Sequence, residues 1–157
     1  GYSCHVCLLR PRSRGRLRLA SKDPLAAPLI DPNFLSDRDD MARLIRGVKL
    51  TRKILAQPAM AAVAGKELAT SARAQSDAEI EQFIRDYADT IYHPAGTCRM
   101  GNGPMDVVDA QLRVHGLEGL RVVDASIMPS LVSGNTNAPV MMIAEKAADM
   151  IKAAQGA

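Results

Sequence analysis

Beyond Thr90 the sequence loses regular hydrophobic periodicity, and this loss limits the folds that the chain can adopt. Residues 90–139 contain short apolar segments separated by proline, glycine and asparagine, which favour turns and loops. Residues 120–124 have the β-branched composition of a short strand, and apolar side chains recur at helical spacing after Pro139. A strand, a polar loop and a helix start in this order are typical of a ligand-facing surface, because the first N–H groups of a helix are free donors.

The first ninety residues carry clearer secondary-structure signals. Residues 2–9 and 16–20 have the composition of two strands joined by a turn, which predicts a hairpin. Ser36 or Asp37 is placed to cap a helix over residues 38–56, which Pro58 ends. Residues 76–79, Ser-Asp-Ala-Glu, have the pattern of a capping box and predict the start of a second helix. Residues 59–69 are ambiguous between a short helix and a loop.

Composition excludes two classes of protein. A hydrophobic share of 47% with 24% charged residues is typical of a globular chain rather than a disordered one. No apolar run approaches the roughly 20 residues that a membrane-spanning helix needs. We expect a cytoplasmic or peripheral membrane protein, and membrane association of the full protein stays open.

Arginine occupies every even position from 10 to 18. One interpretation is a basic stripe that grips a nucleic-acid backbone or another polyanion. The other is a solvated strand edge whose charges discourage edge-to-edge pairing. No aromatic residues are interleaved to stack on bases, and the net charge of +3 is modest. We favour the solvated edge and expect no nucleic-acid partner; the anion-binding module is the alternative.

Cys4 and Cys7 have the CxxC spacing of a metal or redox site. In a strand, however, residues three apart point to opposite faces, so the two thiols could not bind the same ion. The sequence therefore predicts no metal site here.

Three histidines, at positions 5, 93 and 115, are candidates for proton transfer near neutral pH. His5 lies in an apolar segment and His115 lies in a turn, where we expect it to be exposed. His93 lies in a glycine-containing segment without helical periodicity. Most histidines have no catalytic role, and no Ser-His-Asp order or convincing metal-ligand cluster accompanies His93.

Two motifs occur together late in the chain. The first covers residues 92–101, Tyr-His-Pro-Ala-Gly-Thr-Cys-Arg-Met-Gly. The second covers residues 123–129, Val-Asp-Ala-Ser-Ile-Met-Pro, and continues in residues 134–139, Gly-Asn-Thr-Asn-Ala-Pro. In this order and at this spacing, they resemble the C-terminal end of a glucose–methanol–choline (GMC) oxidoreductase, closest to the choline and alcohol dehydrogenase branch. The resemblance extends through residues 9–15 and 23–34 and covers nearly the whole chain.

The resemblance implies an α+β fold with two parts. Residues 1–90 would be a substrate-binding segment, an antiparallel sheet with packed helices. Residues 91–157 would carry the catalytic motif and a C-terminal strand and helix that complete an FAD domain. The dinucleotide-binding fingerprint GxGxxG does not occur in these residues. We therefore expect an N-terminal FAD domain of the same protein as the partner of this chain, and we expect the chain by itself to be inactive.

The implied reaction is FAD-dependent oxidation of a small primary alcohol to an aldehyde, with hydride transfer to the flavin N5. His93 matches the family's general base. Asn135 matches its usual His or Asn partner, which donates a hydrogen bond to the substrate oxygen. An FAD alcohol oxidase that uses oxygen is the alternative.

The resemblance also assigns residues to FAD. One group matches the segment that reaches the ribityl and phosphate region, and another lies where backbone N–H groups approach the flavin ring. The residues concerned are Tyr92 beside the catalytic histidine, Asp124 and Ala125 at the end of the last strand, and Asn137, Ala138 and Pro139 at the start of the last helix.

Overall fold

A computed structural model of the chain describes residues 1–156. The helices in this range are α1 (Arg38–Leu55), α2 (Ala69–Ala72), α3 (Asp77–Tyr87) and α4 (Asn137–Ala154), with short 3₁₀ helices at Pro58–Met60 and Ala125–Ile127. The strands are β1 (Arg16–Arg18) and β2 (Leu29–Asp31), which pair in a two-stranded antiparallel sheet. The predicted α+β class is confirmed. Across these same residues, no helix combines the length and apolar composition needed to cross a membrane.

The described chain divides into two compact units. The first contains residues 1–15 and 30–91, and the second contains residues 16–29 and the chain from residue 92 onward. Each unit has its own cluster of buried apolar side chains. The functional division at residue 90, into a substrate-binding part and a part that completes an FAD domain, stays a prediction.

Helices α1 and α3 pack together in the first unit, and their starts are those that the sequence predicts. The carboxylate of Asp37 caps α1 by accepting from the backbone N–H of Asp39 at 2.8 Å. Ser76 and Glu79 form the predicted capping box at the start of α3. Both helices contribute buried apolar side chains to one core, which consists of Met41, Ala74, Ile80 and Ile84.

A buried carboxylate of α1 binds the loop at residues 12–13, which lies before β1 in the sequence. Asp40 is 1% exposed, and it accepts from the backbone N–H of Arg12 at 2.9 Å and from the backbone N–H and hydroxyl of Ser13, both at 2.7 Å. Burial alone would raise the pKa of Asp40, but the hydrogen bonds from Ser13 and Arg12, with the nearby charge of Arg43, hold this pKa below its ordinary value. The loop thus gains a fixed position, and the buried charge gains the donors it requires.

The predicted hairpin between residues 2–9 and 16–20 is wrong. Residues 2–9 form no strand, and Tyr2 and Leu9 are 50% and 46% exposed. A strand needs a neighbour for its N–H and C=O groups, and no other segment within residues 1–156 pairs with this one. β1 pairs instead with β2. The argument that Cys4 and Cys7 lie on opposite faces of a strand therefore loses its premise; both are exposed free thiols.

The second unit consists mostly of loops around one helix, as the loss of periodicity beyond Thr90 predicts. The strand expected over residues 120–124 is wrong in extent, because only a single bridge between Arg113 and Arg121 forms. Helix α4 is confirmed, but it begins at Asn137, two residues before Pro139. Its buried face closes the core of this unit, which consists of Val108, Leu112, Ile127, Met128, Ile143 and Ala147.

Replacing Asp40 by Asn should destabilise the protein by about 1–3 kcal/mol, because the amide offers one acceptor oxygen where the carboxylate offers two. Asp39→Asn is the matched control: it lies in the same helical turn and pairs with Arg12 at 3.6 Å in a partly exposed ion pair, worth about 0–1 kcal/mol. Urea unfolding and hydrogen exchange at the amides of Arg12 and Ser13 measure the effect. Equal stability of the two variants would contradict this role for Asp40.

The same carboxylate predicts an acid dependence. The folded pKa of Asp40 lies below its ordinary value of 3.8, so its stabilisation is complete above that pH and is lost as the pH falls through the lower folded value. In the wild type, exchange protection of the Arg12 and Ser13 amides should decline over this acid range. The Asp40→Asn variant should lack this decline.

Gly47 lies in the middle of α1, where an added β-carbon would collide with the side chain of Val6. Alanine is normally better than glycine inside a helix by about 0.5–1 kcal/mol. Because a β-branched valine has little rotamer freedom, Gly47→Ala should nevertheless destabilise the protein. In a Val6→Ala background the same change should stabilise it. Urea unfolding of the four proteins tests this reversal of sign, and the same sign in both backgrounds would exclude Val6 as its cause.

Candidate active site

The first motif is held by backbone hydrogen bonds to the short 3₁₀ helix of the second. The N–H groups of Gly96, Cys98 and Met100 donate to the carbonyls of Ala125, Ser126 and Ile127, at 3.3, 3.0 and 2.8 Å. Alternate amides of one segment thus bind successive carbonyls of the other. Since all three acceptors belong to residues 125–127, the relative register of the two motifs is fixed by the main chain.

Gly96 is required by this arrangement. Its φ is +84°, a conformation that L side chains rarely adopt, and an added β-carbon would lie 3.1 Å from the carbonyl oxygen of Met128. The glycine therefore allows the motif to turn and to approach the second motif closely.

The end of the first motif is stabilised by a carboxylate. Asp106 pairs with Arg99 and accepts from the backbone N–H of Gly103 at 2.6 Å. The hydrogen bond from Arg99, followed by that from Gly103, lowers the pKa of Asp106. Asp109 likewise pairs with Arg113, at 2.9 Å. Both carboxylates are engaged in local structure, and within residues 1–156 no group of three or more His, Cys, Asp or Glu side chains is arranged to hold a metal ion.

His93 lies against the start of the last helix. Its side chain is half-buried, and Nδ1 lies 2.8 Å from the hydroxyl oxygen of Thr136. These residues are 43 positions apart in sequence. The structure therefore brings the histidine of the first motif to the residue that directly follows Asn135.

The start of α4 has no side-chain cap. Thr136 occupies the N-cap position with φ −90° and ψ −7°, and its side chain accepts no hydrogen bond from the first turn. Asn137 and Ala138 are exposed, and the first N–H groups of a helix have no acceptor within it. Pro139, the third helical residue, has no N–H at all. The helix start therefore presents the backbone N–H groups of Asn137 and Ala138 at the protein surface.

Asp124 and Ala125 line an open hollow beside the first motif. The carboxylate of Asp124 accepts from the N–H of Ser126 at 2.7 Å and caps the 3₁₀ helix. The hollow has a volume of about 260 Å³ and is lined by Pro94, Ala95, Thr97, Asp124, Ala125 and Ser126. A larger hollow of about 480 Å³ surrounds the turn at residues 113–121. It is lined by His115 but by neither of the two motifs, so its size does not mark it as the site.

The other predicted residues lie at the surface. Asn135 is exposed, and within the described residues no hydrogen bond joins it to His93. Tyr92 is 79% exposed and has a positive φ of 65°. His115, predicted to be exposed in a turn, is exposed, and its Nε2 lies 2.9 Å from the carbonyl of Gly101.

Sequence reasoning missed Thr136. The signal that could have identified it is the proline three residues later, because a hydroxyl before such a proline lacks one of the N–H groups that it would normally cap. Thr97 was also missed, and it lines the hollow beside Asp124.

Comparison with known proteins agrees with the motifs. A family model described as GMC oxidoreductase matches residues 11–144. The alcohol dehydrogenase [acceptor] of Pseudomonas putida is 54% identical over 151 residues, which cover 96% of this chain and 27% of the relative. An oxygen-dependent choline dehydrogenase of Chromohalobacter salexigens is 51% identical over 152 residues, covering 97% of this chain and 27% of the relative.

Solved structures show the same relationship. An FAD-dependent oxidoreductase from Chaetomium thermophilum superposes with a TM-score of 0.88 at 33% identity, covering 94% of this chain and 26% of the other. The chain thus spans about a quarter of the length of the relatives it matches. The sequence, the fold and the relatives agree, and the chain belongs to the GMC oxidoreductase family.

Proposed function

We propose that the protein containing this chain is an FAD-dependent alcohol oxidoreductase of the choline dehydrogenase type, which oxidises a small primary alcohol to the aldehyde. The observation that carries the proposal is the contact between His93 and Thr136, which holds an imidazole beside an uncapped helix start. Relatives named for alcohol and choline oxidation at 54% and 51% identity support the choice of substrate class.

The residues of this chain fit the cofactor. The exposed start of α4 offers the backbone N–H groups of Asn137 and Ala138, which suit an acceptor that carries negative charge. Asp124 and Ala125 line a hollow open to the outside, and Tyr92 directly precedes His93. When bound, FAD supplies the acceptor for the hydride. We infer that the remaining contacts come from an N-terminal FAD domain, since the fingerprint GxGxxG does not occur in this chain.

His93 is proposed as the general base. An alcohol that becomes an aldehyde loses a hydride from carbon and a proton from oxygen, so the protein must supply a proton acceptor. One ring nitrogen, Nδ1, is engaged by Thr136, so Nε2 is the nitrogen proposed to accept the hydroxyl proton. Histidine is suited to this step because its pKa generally lies near neutral pH.

Asn135 is proposed to donate its side-chain N–H to the substrate oxygen. That oxygen gains negative charge as its proton leaves, so a fixed donor stabilises the transition state more than the ground state. The position of Asn135, exposed and next to the residue that contacts His93, supports this role.

In the full protein, His93→Ala should slow flavin reduction by about 10²–10⁴-fold, the range expected for loss of a general base. FAD content should be unchanged, since the proposed cofactor contacts lie on other residues. Anaerobic stopped-flow reduction by the alcohol, with flavin absorbance of the purified protein, measures both. The control is His5→Ala, an exposed histidine of the first unit. A wild-type rate of flavin reduction in the His93 variant would contradict the role of His93 as the general base.

Asn135→Ala should cause a smaller loss than His93→Ala, at most about 10²–10³-fold, as for removal of one oxyanion donor. Asn135→Asp has nearly the same shape as the wild type but places a negative charge against the substrate oxygen. Its rate of flavin reduction should therefore be no higher than that of Asn135→Ala. The same stopped-flow measurement compares both with Asn102→Ala, a change at another exposed asparagine. An unchanged rate in Asn135→Ala and Asn135→Asp would remove Asn135 from the mechanism.

A further inference from the structure

The hydroxyl of Thr136 makes an unusual contact for a residue at the start of a helix. A threonine at the N-cap ordinarily accepts from the N–H of the second or third helical residue, as Ser76 does from Glu79 in α3. In α4 the third residue is Pro139, which has no N–H to donate. The backbone of Thr136 is also helical rather than extended, and its side chain makes no capping bond. The hydroxyl is thereby available to His93.

The contact admits two arrangements of protons with different consequences. If Nδ1–H of His93 donates to Thr136 Oγ1, Nε2 carries a lone pair and can accept a proton. If the threonine hydroxyl donates to Nδ1, Nε2 carries a hydrogen and cannot accept one. Only the first arrangement is compatible with a base that acts through Nε2.

We propose that Thr136 is a positioning residue that selects the Nδ1–H tautomer of His93 and so keeps Nε2 ready to accept the substrate proton. This inference rests on the proposed function. Thr136 acts through the histidine and contacts neither the substrate nor the cofactor in this role. The hydrogen bond also fixes the rotation of the ring, because it joins a side chain of the first motif to the N-terminus of a helix anchored in the core by Ile143 and Ala147.

The tautomer can be measured directly in the full protein by nitrogen-15 NMR with labelled histidine, under conditions where the imidazoles are neutral. His115 is an internal reference: its Nε2 lies 2.9 Å from the carbonyl of Gly101, and a carbonyl only accepts, so this ring must carry hydrogen on Nε2. His93 should show the opposite tautomer, and His93→Ala and His115→Ala assign the two signals. Hydrogen on Nε2 of His93 in the wild type would overturn the proposal.

Variants of Thr136 test the consequence. Thr136→Val keeps the shape and removes the hydroxyl, so it should reduce the rate of flavin reduction about tenfold, the loss expected for one neutral hydrogen bond, and should mix the His93 tautomers. Thr136→Ser should restore both the rate and the tautomer. In the His93→Ala background, Thr136→Val should have no further effect, since its partner is gone. FAD content should be the same in all of these variants.

Other outcomes separate this inference from the proposed function. Loss of activity in His93→Ala, with wild-type rate and tautomer in Thr136→Val, would refute the role of Thr136 alone. A wild-type rate in His93→Ala would refute the proposed function and this inference with it. If Thr136→Val did not fold, the tautomer of His93 in the wild type would still decide the matter.

Discussion

The three backbone hydrogen bonds from residues 96–100 to residues 125–127 are the constraint on which the candidate site depends. They join segments almost thirty residues apart, and neither segment has a regular strand to hold it. Because donors and acceptors are main-chain groups, the register does not depend on any one side chain. It does depend on Gly96, whose positive φ permits the turn. The motif containing His93 is therefore placed by backbone geometry before its side chains make any contact.

Packing then fixes the other half of the site. Ile127 and Met128, which follow the hydrogen-bonded carbonyls, are buried with Ile143 and Ala147 of α4. The same few residues thus accept hydrogen bonds through their backbone and bury their side chains against the helix. This arrangement links the first motif to α4 through the backbone and the core. The contact of His93 with Thr136 joins the same two segments a second time, through side chains. In a region with little regular secondary structure, these residues thus hold the first motif through their backbone and α4 through their side chains.

Local signals in the sequence predicted helices α1, α3 and α4 well. They did not predict which strands form, because strand pairing depends on residues far away in sequence. The caps at Asp37 and Ser76 are interactions within a few residues of chain, so the sequence contains all of their partners. A strand has its partners elsewhere, and the apolar segment at residues 2–9 carried no information about whether a neighbour was present. The same limit applies to the site. Through their resemblance to a family, the motifs predict roles for His93 and Asn135. They give no sign of the contact between His93 and Thr136, which spans 43 residues and depends on how α4 is anchored. The partner of Asp40 could not be predicted either, because its donors lie 27 and 28 residues away.

The starts of α3 and α4 differ in how their N-cap side chains are used. At α3, Ser76 and Glu79 satisfy one another's backbone groups, and the first turn carries the negative charges of Asp77 and Glu79, which disfavour an anionic ligand. At α4 the N-cap side chain forms no capping bond: Pro139 has no N–H to donate, and the Thr136 hydroxyl lies against His93 instead. An open helix start lacks the stabilisation of a cap, typically about 1 kcal/mol, and burial of Ile143 and Ala147 offsets this loss. The first turn of α4 carries no acidic side chain, so its exposed backbone donors suit the anionic cofactor that we propose for this site.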